Sequence, residues 1–117
     1  MAASPGEIFR GDLWYADLNP VRGHEQGGAR PVLIVSVDSF HQGRSGLVWV
    51  LPITSVEKKI RSRIALSVGE GGLSLPSFVI CEAIRSISID RLDRRLGTAS
   101  TETLAKVENW VKTLLGI

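Results

Sequence analysis

The chain has 117 residues, 44% of them hydrophobic, which fits one compact domain with a modest core and leaves no room for a second. A net charge of +2 built from ten arginines against four lysines leans towards a polyanionic partner, because the planar guanidinium matches phosphate bidentately. The longest apolar stretch, GLVWVLPI, is less than half of a bilayer span, and Cys81 is the only cysteine, so a membrane helix, an internal disulfide and a thiolate metal cluster are excluded.

The opening MAASPGEIF has neither a basic n-region nor an apolar h-region, and the expectation is a cytoplasmic protein. Residues 1–117 are expected to form a single domain, with 1–6 flexible. Five stretches, 11–17, 30–38, 46–53, 62–68 and 77–88, are short, β-branched or aromatic in flavour and bounded by Gly, Pro, Asn or Ser, and are predicted as strands. Between them lie a long loop, LNPVRGHEQGGA, a segment SFHQGRS able to hold a helical turn, and a Gly-rich reversal, GEGGLSLP. DRLDRRLG is open between a helical turn and a last strand. Leu104, Val107, Val111 and Leu114 then recur at helical spacing, flanked by Trp110 and Leu115, with Ser100 placed to cap the helix and Glu102 suited to its positive end. The predicted fold is mostly β with a C-terminal α-helix, a small barrel or strongly bent sheet, because bending hides strand edges. Cys81, among apolar neighbours, is predicted to be a buried small hydrophobe.

Residues 23–35, GHEQGGARPVLIV, crowd His, Glu, Gln and Arg around a Gly-Gly pair before an apolar strand. The glycines allow close backbone approach to a ligand and Pro31 stiffens the strand start. Arg30 is therefore placed to grip a phosphate oxygen or to form a salt bridge. Taken alone, Thr54 and Ser55 fit turn residues that satisfy their own backbone.

GDLWYADLNPVRGHEQGGARPVLIVS, followed in order by VLPITS, ICEAIRSIS and the closing helix, resembles the MazF/PemK/Kid family of toxin endoribonucleases from about Gly6 to the C-terminus. The resemblance implies an SH3-like barrel with added helix and a homodimer. It implies metal-independent cleavage of single-stranded RNA with no cofactor, and neutralisation by a small MazE-like antitoxin whose acidic tail folds on binding. Such cleavage uses the ribose 2′-OH as nucleophile and leaves a 2′,3′-cyclic phosphate and a 5′-hydroxyl. It requires a proton acceptor, a proton donor and groups that stabilise the phosphorane.

By the same resemblance Arg30 is the catalytic arginine and Thr54 the donor to the scissile phosphate. A guanidinium is a poor base, so two candidates stand for the proton acceptor. His24 matches the Kid-like histidine, a side chain that titrates near neutral pH. Glu82 aligns with an acidic residue used there as a base. In a regular strand it shares a face with Phe78, Ile80 and Ile84, where desolvation raises its pKa unless it pairs with Arg85 or Arg30. Ile80 stands where the Kid-like pattern carries an arginine.

Glu25, Gln26, Gly28, Ser55 and Arg85 are assigned to substrate contact, with loop-stabilising bonds the other reading for Glu25 and Gln26. In EKKIRSR, Lys58, Lys59 and Arg61 either track the RNA backbone or are merely solvated. Trp14, Tyr15, Phe40 and Trp49 are the candidate stacking platforms, most of them expected in the core. His41 is expected to be solvated. No metal site is expected from two separated histidines and one cysteine. Two rivals are a gyrase poison of the CcdB type, whose Trp-Gly-Ile terminus this chain's LLGI matches in its last two residues but not in the tryptophan, and a non-catalytic RNA-binding barrel.

Overall fold

The computed structural model describes residues 3–117. Its regular elements are β1 (Asp12–Asp17), β2 (Ala29–Ile34), α1 (Asp38–His41), β3 (Leu47–Thr54), β4 (Arg63–Leu66), β5 (Ser77–Ile80), β6 (Arg85–Ser88), β7 (Leu92–Thr98) and α2 (Thr101–Leu115). The strands run antiparallel in the order β4-β5-β3-β2-β1-β7, with β6 also on β3. Of the stretch 1–6, residues 1 and 2 lie outside the described residues, and Pro5–Glu7 form one 3-10 turn.

Because side chains alternate across a strand, the central strands feed two cores. Val32 and Ile34 join Trp14, Ala16, Val48 and Val50 on one side. Leu33 joins Leu13, Leu51, Ile53 and Val79 on the other. The sheet bends around the first core as a small SH3-like barrel, and α2 covers the second with Val107 buried and Leu104, Trp110 and Val111 packed beside it. Each such side chain contributes about 1.5–3 kcal/mol. The Ser100 hydroxyl accepts from the Thr103 N–H and so caps α2 as predicted, but Leu114 and Leu115 at the far end are exposed.

The stretch 77–88 is not one strand. Ile53 of β3 faces Val79, whereas Val50 faces Arg85, so three residues back along β3 meet six residues onward in the partner. The 3-10 turn Cys81–Ala83 takes up the difference, and the regular alternation that placed Glu82 with Phe78, Ile80 and Ile84 is broken. DRLDRRLG resolves mainly into β7, entered through the 3-10 turn Ile89–Arg91.

His41 is fully buried, against the expectation of a solvated side chain. The short α1 turns it inward, where Nε2 donates to the Ile8 carbonyl at 2.8 Å and Nδ1 lies 2.8 Å from the Ser36 hydroxyl. Cys81 is buried as predicted. Its thiol is pushed up to about 12, first by burial and then by the Glu82 charge.

The Gly-rich reversal is clamped rather than loose. A Cβ on Gly72, which has φ +78°, would lie 2.0 Å from the Leu96 carbonyl oxygen. Beside it the Glu70 carboxylate accepts from the Ser100 N–H and hydroxyl and, at 2.6 Å, from the Thr103 hydroxyl. This fastens residues 69–76 to β7 and to the start of α2.

Candidate active site

Residues 18–28 leave β1 and return to β2 as a loop tied to itself. The Leu18 N–H donates to the Gly28 carbonyl at 3.0 Å, and the Gly28 N–H to the Asn19 side chain at 2.9 Å. Gly28 has φ +74°, a conformation that favours glycine. Glu25 holds the turn by accepting from the Arg22 N–H, which is the loop-stabilising role.

The loop then orients Arg30. Its Nε donates to the Gly27 carbonyl at 2.8 Å and its Nη1 to Gln26 Oε1 at 2.9 Å. A guanidinium carries five N–H donors, so three remain open. No carboxylate pairs with Arg30 among the described residues. The side chain is half-buried and opens into a groove of about 340 Å³.

β3 brings Thr54 to the same groove. The β2–β3 pairing ends at Val32 and Pro52, and Arg30 and Thr54 each lie two residues beyond that end. Both line the groove, with Ser55. Thr54 Oγ1 accepts from the Val56 N–H at 3.1 Å, the turn role read from sequence. A hydroxyl that accepts one bond still has its proton to donate.

The remaining candidates divide. His24, Glu25, Gln26, Glu82 and Arg85 line a second groove of about 530 Å³, which the Gln26–Arg30 hydrogen bond links to the first. Arg85 Nη1 donates to the Leu18 carbonyl at 3.3 Å and so braces the base of the loop. Lys58, Lys59 and Arg61 are exposed between β3 and β4 and line neither groove. Trp14, Tyr15, Phe40 and Trp49 line neither groove as well. Among the described residues no three His, Cys, Asp or Glu side chains are grouped to hold a metal ion.

Glu82 differs from its expected state. Arg63, counted from sequence only as part of a basic run, pairs with it at 2.9 Å, and the Ser62 hydroxyl donates to it at 2.7 Å. Burial raises the Glu82 pKa, but Ser62, its own backbone N–H and Arg63 together outweigh that and hold it below the usual carboxylate value. A depressed value in the folded state stabilises the fold above the ordinary carboxylate range and is lost as pH falls through the folded-state value. The stability advantage of wild type over Glu82→Gln is therefore expected in full at neutral pH and to shrink below about pH 4.5. Thermal melts of both proteins between about pH 3 and pH 7 measure this; a constant difference contradicts it.

Residues 9–115 match the family model described as PemK-like, MazF-like toxin of type II toxin-antitoxin system. The chain belongs to this family of toxins. It is 35% identical over 114 residues to Endoribonuclease MazF9 of Mycobacterium tuberculosis, covering 92% of this chain and 96% of that protein. Among solved structures, MazF of Deinococcus radiodurans superposes with a TM-score of 0.83 at 30% identity, covering 94% of this chain and 97% of that one. A chain of the MazE-MazF complex from the same organism gives 0.77 at 31% identity, with 94% and 96% covered.

Proposed function

We propose that this toxin is an endoribonuclease that cleaves single-stranded RNA without metal, residues 1–117 acting as one domain. The observation that carries the reading is Arg30, held by its own loop with three donors open, in one groove with the Thr54 hydroxyl. These groups take the two non-bridging oxygens of the scissile phosphate. The 2′-oxygen forms the new P–O bond, the P–O5′ bond breaks, the 2′-proton passes to a base and a proton is delivered to O5′.

The positive charge and the hydroxyl stabilise the phosphorane, each aligned donor contributing about 3 kcal/mol. His24 suits the proton acceptor, because it lines the linked groove with no hydrogen-bond partner among the described residues. Glu82, already committed to Arg63 and Ser62, suits positioning better than proton transfer. Gln26 and Gly28 shape the grip, Ser55 lines the rim, and Lys58, Lys59 and Arg61 supply positive charge for RNA or for the acidic tail of a MazE-like antitoxin. The toxin works as a homodimer in the cytoplasm; no helix among the described residues is long and apolar enough to cross a membrane.

The test is to map cuts on a long unstructured RNA in excess chelator. Cleavage leaving 2′,3′-cyclic phosphate and 5′-hydroxyl ends is expected. Salt-sensitive binding without new ends overturns the reading in favour of a binding barrel, and intact RNA with trapped, cleaved plasmid in favour of a gyrase poison.

A further inference from the structure

The first groove has a side that phosphate chemistry does not use. Val56, from the start of the β3–β4 loop, and Leu73 and Leu75, from the Gly-rich reversal, line it together with Arg30 and Thr54. Val56 is 59% and Leu75 58% exposed, so two aliphatic side chains face solvent at the rim of a polar site. We infer that Val56 and Leu75, over the floor made by Leu73, hold one unpaired nucleobase beside the scissile phosphate. This rests on the endoribonuclease reading.

Three observations support it. The wall is already built: Gly72 is pressed on the Leu96 carbonyl, Glu70 is bonded to Ser100 and Thr103, and the Ser77 hydroxyl donates to the Leu75 carbonyl at 2.9 Å. An immobile apolar wall loses little entropy when a base settles on it. Val56 is tied to the phosphate site, because its N–H donates to the Thr54 hydroxyl oxygen. One threonine thus sets the distance between the phosphate-binding and base-binding parts. Finally, no Asp or Glu lines this groove, whereas the groove beside Tyr15 holds Asp17, Asp90 and Asp93 against Arg91 alone, a net negative lining that disfavours a polyanion. A volume of about 340 Å³ lies at the small end of ligand sites, which begin near 300 Å³, enough for one base and not for a run of them.

The test compares wild type with the double variant Val56→Ser/Leu75→Ser on a short RNA spanning one mapped cut, and on versions made abasic at each nucleotide flanking it. Losing a base–aromatic stack costs about fivefold or more; for these aliphatic contacts KM is expected to rise about five- to tenfold, with kcat within about twofold. The abasic RNA that lacks the docked base should erase this difference between the two proteins. Unchanged KM on the intact RNA, or a difference that persists on every abasic RNA, overturns the pocket. Melting temperatures check the fold, and Leu75→Ala alone reads the same coupling if the double variant is destabilised. Failure of wild type to cut any RNA overturns the endoribonuclease reading instead, whereas equal cutting by wild type and variant overturns only the pocket.

Discussion

Replacing Arg30 with alanine is expected to lower RNA cleavage at least a hundred- to a thousandfold, the loss seen when one preorganised oxyanion donor is removed. The melting temperature should stay close to that of wild type. The two effects separate because the guanidinium contributes little to the core. It is half-buried, donates to Gly27 and Gln26 within its own loop, and pairs with no carboxylate among the described residues. Those two bonds orient it before substrate arrives, so little reorganisation is needed as charge develops. Arg30→Lys should recover only a fraction, since an ammonium keeps the charge but lacks the fork that spans two phosphate oxygens. Single-turnover cleavage beside a thermal melt reads both. Near wild-type cleavage by Arg30→Ala contradicts the assignment.

Gly72→Ala is expected to cost several kcal/mol and to lower the melting temperature by roughly 10 °C or more. Two penalties act together. Alanine at φ +78° is strained, by on the order of 1–3 kcal/mol. Its Cβ would also meet the Leu96 carbonyl oxygen at 2.0 Å, a backbone atom that cannot swing aside as a side-chain tip does. Relief requires residues 69–76 to lift from β7, which strains the Glu70 bonds to Ser100 and Thr103 and shifts the wall carrying Leu75. Cleavage should weaken through KM as well. Differential scanning calorimetry checks the stability loss; a melting temperature within about 2 °C of wild type, a shift matching less than 1 kcal/mol, contradicts the clamped-loop account.

Where residue pattern and backbone chemistry act locally, the sequence was legible. Leu104, Val107 and Val111 at helical spacing behind Ser100 specify α2. The Gly-Gly-Ala-Arg-Pro run specifies a loop delivering Arg30 to a strand edge. What depends on distant pairing was not legible. The break between β5 and β6 follows from two registers on β3, which no window of residues 77–88 contains. Arg63 read as one charge of a basic run, because its partner Glu82 is 19 residues away. His41 sits among polar neighbours in the chain, yet α1 turns it against Ile8, which is 33 residues distant. The division of the candidate site residues between two grooves has the same origin. The one local hint of the second wall was a pair of leucines, Leu73 and Leu75, inside an otherwise small and polar reversal.

The measurement that most directly tests the central claim uses one RNA of mapped cut position and its twin carrying a single 2′-deoxy sugar at the nucleotide just 5′ of the cut. On the proposed reading Arg30 and Thr54 hold the phosphate in both, so the twin should bind with comparable affinity and remain uncut at that position. Cleavage of the deoxy twin there at the rate of the all-ribose RNA contradicts a mechanism in which the 2′-hydroxyl attacks the phosphate.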